Sequence, residues 1–220
     1  NDLIARGVTE VFVCGISSKF SQTLPMLEEL KVHYANRLHI FVYDTKTLNI
    51  AEGALAYEAK VLIEQGESFE NVAKKLDDLR RRSEFLFTLS DLDYIIRNKK
   101  LSAPAAFVAN LFDIKPIMQI NQIGEIIAVE KVRKLEKTLI TMGKTIEKLA
   151  ANQPAFIYLT DTGHHESTEY LKYLLATHFG WHDLPVIRVS TISLANHGLM
   201  GTGIGVFYGE LPHIVKALKK

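Results

Sequence analysis

Apolar positions along this chain follow two alternating rhythms. Short, nearly continuous apolar runs at 10–16, 38–43, 84–89, 115–120, 125–129, 155–160, 186–190 and 205–208 predict strands. Runs without polar alternation are expected of strands buried on both faces. Between them lie stripes at helical spacing: Phe20, Leu24, Leu27, Leu30 and Tyr34; Phe69, Val72, Leu76 and Leu79; Leu135, Leu139, Met142, Ile146 and Leu149. Core packing is the plain reading of all three stripes. Ser68 is placed to cap the second, and Arg80-Arg81-Arg82 suits its negative C-terminal end. The Arg run reads as a solvated helix end, because no aromatic platform for nucleic acid accompanies it. Alternating strands and helices predict an α/β fold with parallel or mixed sheets flanked by helices. A boundary is expected at 82–84, where a charged helix gives way to an apolar strand. It separates an N-terminal α/β domain, 1–82, from a C-terminal α/β domain, 83–220. Asn1 and Asp2 open on the tail of a helix, so the first domain is expected to lack its initial segment.

Composition narrows the function classes. Apolar residues make up 47% and charged residues 23% of the 220 residues, the profile of a soluble globular protein. A formal net charge of +1 supplies no global field to recruit nucleic acid or an anionic membrane. No apolar run reaches the ~18 residues of a membrane span, and no signal peptide opens the chain. Cys14, the only cysteine, sits in an apolar run. It offers neither an internal disulfide nor a zinc cluster, and is compatible with a reducing cytoplasm.

Candidate chemistry gathers at strand ends. Ser17-Ser18 closes the first strand and opens the Phe20 helix, so hydroxyls and free N–H groups there suit an anion; a plain N-cap explains them equally. Pro25 is tolerated early in that helix. Asp44-Thr45-Lys46-Thr47 follows the second strand, at the edge where α/β sheets bind ligands; an Asx turn is the competing explanation. The stretch from His197 through Gly198, Gly201 and Gly203 to Gly205 reads as a glycine-rich loop permitting close backbone approach. His197 could donate there to an anion, or be incidental to a tight turn. Gly143-Lys144-Thr145 mimics the end of a P-loop but lies inside an amphipathic stripe. Asp161-Thr162-Gly163 mimics an aspartic-protease motif without a second carboxylate. His164 and His165 with Asp161 keep a metal-dependent hydrolase open as the enzyme alternative. His178 and His182 share a helical spacing, but Gly180 between them is expected to end the helix.

Taken in order, these motifs resemble the DegV family of fatty-acid-binding proteins over nearly the whole chain. Ser17-Ser18-Lys19-Phe20-Ser21 resembles the family's Ser-Ser-x-Leu-Ser segment. Asp44-Thr45-Lys46 resembles its Asp-Ser-Lys turn, with Gly53 downstream. Leu92-Asp93-Tyr94-Ile95 and Ile114-Lys115-Pro116-Ile117 resemble its central block, which includes Asn110 to Asp113. Lys131-Val132-Arg133 resembles its Lys-x-Arg exit, and His197 with Gly201 its His-x-Gly-Pro-Gly loop. Three positions depart: Asn49 for Ser, Met200 for Pro, and Asn98-Lys99-Lys100-Leu101-Ser102 for Gly-Gly-Arg-Ile-Ser. Lys100 keeps the charge of the Arg it replaces but not its bidentate fork. The resemblance implies two α/β domains, with a long-chain fatty acid whose tail enters the first. It implies that Ser17, Ser18, His197 and Gly201 bind the carboxylate, with Asp44 and Lys100 as secondary candidates. It implies a cytoplasmic carrier that performs no chemistry, needs no cofactor and contacts neither nucleic acid nor membrane interior. Its expected partner is a fatty acid kinase, docked near Arg133, that converts the carboxylate to an acyl phosphate for phospholipid synthesis.

Overall fold

Residues 1–102, 114–163, 165–198 and 200–218 are described by the structure, a computed structural model. The chain divides into two compact units, 1–80 with 212–220, and 81–211.

The first unit is built on a parallel pair, β1 (Glu10–Gly15) and β2 (His39–Asp44), registered from Glu10 opposite His39 to Gly15 opposite Asp44. Its helices are α1 (Asp2–Ala5), α2 (Thr23–Tyr34), α3 (Asn49–Glu64), α4 (Phe69–Arg81) and the returning α9 (His213–Leu218). The strand period of two places Phe12 and Cys14 on one face with Phe41 and Tyr43. Phe12 stacks on Phe41 at 5.2 Å and meets Phe69 of α4 edge-on at 5.5 Å. Ser68 does cap α4, accepting the Asn71 N–H at 3.3 Å. α9 packs on α3, where Glu58 accepts from the His213 N–H at 2.9 Å and faces its Nδ1 at 2.9 Å. The end of the chain, expected with the second domain, groups with the first unit through helix His213–Leu218.

Two expectations for this unit need correction. Among Phe20, Leu24, Leu27, Leu30 and Tyr34, only Phe20 and Leu24 are buried and Leu30 is exposed. Nor is the Arg run plainly solvated. The Arg80 side chain is only 11% exposed and lies 3.9 Å from Asp77, which accepts the Tyr43 hydroxyl at 2.9 Å. In the second unit Arg82 Nη1 donates to the Glu210 carbonyl.

The second unit carries a six-stranded mixed sheet in the order β5-β4-β3-β8-β6-β7. The strands are β3 (Ser83–Leu89), β4 (Ile117–Ile120), β5 (Ile126–Glu130), β6 (Ala155–Asp161), β7 (Val186–Arg188) and β8 (Gly201–Tyr208). β6 and β7 are parallel and the other pairs antiparallel. Leu86, Leu159, Ile204 and Val206 meet α6 (Leu135–Ala150) and α7 (His165–Phe179) through Leu139, Met142, Ile146, Leu171 and Leu175. Gly143 lies inside α6, where an added Cβ would come within 2.6 Å of the Phe179 ring. It serves close helix packing and not a phosphate loop. α7 ends at Phe179, with Gly180 at φ +66°. Two short helices complete the unit, α5 (Asp93–Arg97) and α8 (Thr191–His197).

Candidate functional site

In the first unit the polar candidates converge where β1 and β2 end. Ser17 is fully buried, and its N–H donates to the Thr47 carbonyl at 2.9 Å. Its Oγ accepts the Lys19 N–H at 3.2 Å. Ser18 donates its hydroxyl to Asp44 Oδ2 at 2.6 Å, and its N–H reaches the same carboxylate at 3.3 Å. Asp44 also accepts the Lys46 N–H at 2.8 Å, the two-residue reach of an Asx turn. Thr45 ties this turn to β1 through Gly15 O at 2.7 Å. An internal carboxylate therefore already occupies Ser18's donors.

The helix expected to open at Phe20 begins instead at Thr23. The Ser17 carbonyl accepts two successive N–H groups, from Phe20 and Ser21, and closes a turn first. The serines consequently face the end of the sheet and not the positive end of α2.

Between β1 and α3 the first unit also has a partly open pocket of about 360 Å³. β1 supplies Phe12 and Cys14; α3 supplies Ala56, Ala59 and Ile63, with Lys60 and Glu64 at the rim. The last two form an ion pair at 2.9 Å. α3 can approach β1 yet leave this space because its facing residues are small. Burial pushes the Cys14 thiol up to about 11, aided by the nearby Glu52 carboxylate. Cys14 is thus a protonated, apolar wall at neutral pH.

In the second unit His197 ends α8. Its Nδ1 lies 2.9 Å from the Ser193 carbonyl, which can only accept, so the proton belongs on Nδ1 and the lone pair on Nε2. Burial, more than the opposing Ser193 contact, holds its pKa below the ordinary histidine value, and the Lys100 charge adds to the depression. Asn98 of the turn after α5 fastens α8 by donating to the Asn196 carbonyl at 3.0 Å. Lys99 holds φ +54° in that turn, a conformation that a glycine would take at lower cost.

The expected glycine-rich loop is largely a strand. Gly198 alone of its four glycines has a positive φ, +101°. Gly201, Gly203 and Gly205 lie in β8, opposite Leu89, Phe87 and Phe85. A Cβ at Gly203 would come within 2.8 Å of the Phe85 ring, and one at Gly205 would overlap the Tyr158 ring. These glycines make room for aromatic rings across the sheet. Gly201 is committed to Thr162, with bonds of 2.9 and 2.8 Å. Arg133 stands exposed on the turn between β5 and α6.

The enzyme alternative is only partly visible. Asp161, buried, faces His165 Nδ1 at 2.8 Å and accepts from the Gly163 N–H at 2.9 Å. His165 is 77% exposed. His164 and the central-block residues Asn110 to Asp113 lie outside the described residues. Among those described, no three His, Cys, Asp or Glu side chains converge as metal ligands, and no helix is long and apolar enough to cross a membrane.

Comparison with known proteins decides the family. Residues 1–209 match the family model described as "Uncharacterised protein, DegV family". The chain belongs to the DegV family. Among curated DegV domain-containing proteins, one from Clostridium acetobutylicum is 26% identical over 76% of this chain and 59% of its own length. A second from that organism is 23% identical over 93% and 73%. The chain thus spans well under two thirds of the first relative. Among solved DegV structures, a fatty-acid-binding protein from Streptococcus agalactiae superposes with a TM-score of 0.84 at 23% identity, covering 96% of this chain and 74% of its own. One from Thermus thermophilus, described for fatty acid binding, gives 0.78 at 21%, covering 94% and 75%. One from Eubacterium eligens, loaded with heptadecanoic acid, gives 0.71 at 17%, covering 92% and 74%. At these identities the likeness establishes the DegV fold.

The residues that sequence reasoning missed line the cavity: Phe12, Ala56, Ala59 and Ile63. Only Ala59 of these belongs to the buried stripe Ala51, Ala54, Leu55, Ala59 and Leu62 of α3, so the sequence carried little signal for the rest.

Proposed function

We propose that this DegV protein binds a long-chain fatty acid, with the hydrocarbon tail in the cavity between β1 and α3. The observation that carries this reading is that partly open pocket, about 360 Å³, walled by Phe12, Cys14, Ala56, Ala59 and Ile63. Its size falls within the ligand-pocket range of about 300–1,000 Å³. Fatty acids bound by solved relatives support the same ligand class.

Burial of the tail supplies the affinity. Each buried methylene contributes about 0.8 kcal/mol, so about fourteen give about 11 kcal/mol gross. Association costs about 4–15 kcal/mol. Polar groups then orient the head more than they hold it. In the first unit Ser17 is the proposed carboxylate-binding group; in the second, His197 is the proposed polar group. Lys100, whose charge is felt at His197, is proposed to add positive charge. Asp44 is proposed to hold Ser18 in place, since its carboxylate takes the donors of that serine.

The proposed role is that of a cytoplasmic carrier which performs no chemistry on its ligand. A partner fatty acid kinase, docked at the exposed Arg133, would phosphorylate the carboxylate for phospholipid synthesis. Organic extraction of freshly purified protein, followed by mass spectrometry, should release a fatty acid in near-stoichiometric amount. An extract free of fatty acid, from protein that also fails to take up added stearate, would overturn the reading.

A further inference from the structure

A second pocket lies wholly within the second unit. It is partly open, about 300 Å³, and forms between one face of α7 and the chain that follows that helix. Glu169, Lys172, Tyr173 and Ala176 stand three and four residues apart, which places them on one helical face. Gly180 then turns the chain at φ +66°, and the Trp181 N–H reaches back to the Leu175 carbonyl at 3.3 Å. Trp181, Asp183 and Leu184 thereby become the facing wall.

Two aromatic rings frame the space. Trp181 stacks on Phe179 at 5.0 Å, and Tyr173 stacks on Tyr170 at 6.5 Å. Neither stacking partner lines the pocket, so one face of each ring is covered and the other is what it offers to the space. Tyr173 is 63% exposed, far from a core ring. An aromatic face is negative and attracts a cation. The charges agree with the rings. Glu169 is taken by Lys172, whose Nζ contacts both carboxylate oxygens, at 2.9 and 3.2 Å. Asp183 has no basic partner among the described residues. One negative charge is left over beside two rings, and Ala176 and Leu184 supply apolar contact suited to methyl groups. His182 also lines the pocket and would oppose a cation when protonated.

We propose that this pocket binds a small quaternary ammonium compound, its positive head against Trp181 and Tyr173 and its charge balanced by Asp183. The site uses second-unit residues alone and stands or falls independently of the acyl pocket.

Trp181 is the only tryptophan of the chain, so its fluorescence reports on the site directly. The probe is choline, with sodium chloride at matched ionic strength as blank and 3,3-dimethylbutanol as uncharged isostere. The buffer is held at about pH 8, above the range in which histidine takes a proton. Choline should give a saturable change and bind about tenfold more tightly than the isostere, as two exposed ring contacts allow. Asp183→Asn should weaken choline about fivefold and leave the isostere unmoved, a split that a merely structural role would not produce. Asp183 sits at φ +56°, where asparagine is equally at home, so the turn survives the change. Tyr173→Leu should also weaken choline about fivefold. Displacement of choline by phosphatidylcholine vesicles would make the ligand a lipid head group, and no displacement a free solute; either supports the site. A response that sodium chloride reproduces, or an isostere bound as tightly as choline, would overturn it. So would the absence of both a saturable fluorescence change and saturation transfer to the choline methyl protons. Equal loss of choline and isostere in Asp183→Asn would overturn the role given to Asp183.

Discussion

Single residues show how much of this sheet is decided by absent side chains. Gly201, Gly203 and Gly205 alternate along β8, and at each an added Cβ would press on a cross-strand neighbour: Leu89, Phe85 and Tyr158 in turn. Tyr158 is buried and stacks with Phe85 at 6.4 Å, so its ring has little freedom to yield. Gly205→Ala should therefore destabilise the protein by about 1–3 kcal/mol, the ordinary cost of overpacking. In a double-mutant cycle with Tyr158→Leu, chemical denaturation should show that most of that loss disappears. Additive effects would mean the glycine is not there for the ring. These glycines read from sequence as a loop because glycine marks turns far more often than it makes room inside a strand. The cross-strand rings that decide between the two readings, Tyr158 and Phe85, lie far away in sequence, outside any local window.

Elements divide by how loudly their pattern speaks. Among the described residues, β1 to β7 and the second half of β8 were legible as short apolar runs between polar turns, whereas the glycine-led first half of β8 was not. So were α4 and α6, whose large apolar residues recur at helical spacing over charged faces. The helix that matters most to the proposed site, α3, is quieter. Its buried stripe is mostly alanine, and small residues signal weakly while leaving the cavity beside β1 open. α8 is too short to show a period, yet its last residue is His197. The Ser18–Asp44 bond joins two strand ends that no sequence spacing relates. Placing bulk on the cavity face of α3 tests the element directly. Ala56→Phe, at a position already partly exposed, should displace about two methylenes of a bound chain at about 0.8 kcal/mol each. Fatty acid affinity, measured by calorimetry, should fall about tenfold while the thermal midpoint stays close to wild type. Unchanged affinity would place the acyl chain elsewhere.

At the scale of the whole molecule, two α/β units share one chain, and the last helix returns to the first unit. Family membership was legible in the order of several weak motifs, none decisive alone, and the family match over residues 1–209 secures it. What the order of motifs did not reveal was where an acyl chain would lie, because the lining residues are apolar and uninformative singly. A stearate carrying a photoreactive diazirine near its methyl end gives the most direct measurement. After irradiation of the full chain and peptide mapping by mass spectrometry, the account predicts labelling on the peptides containing Phe12 and Cys14 and those spanning 56–63, suppressed by excess unlabelled stearate. Labelling confined to β3, β6 and β8, or scattered and insensitive to competitor, would contradict it.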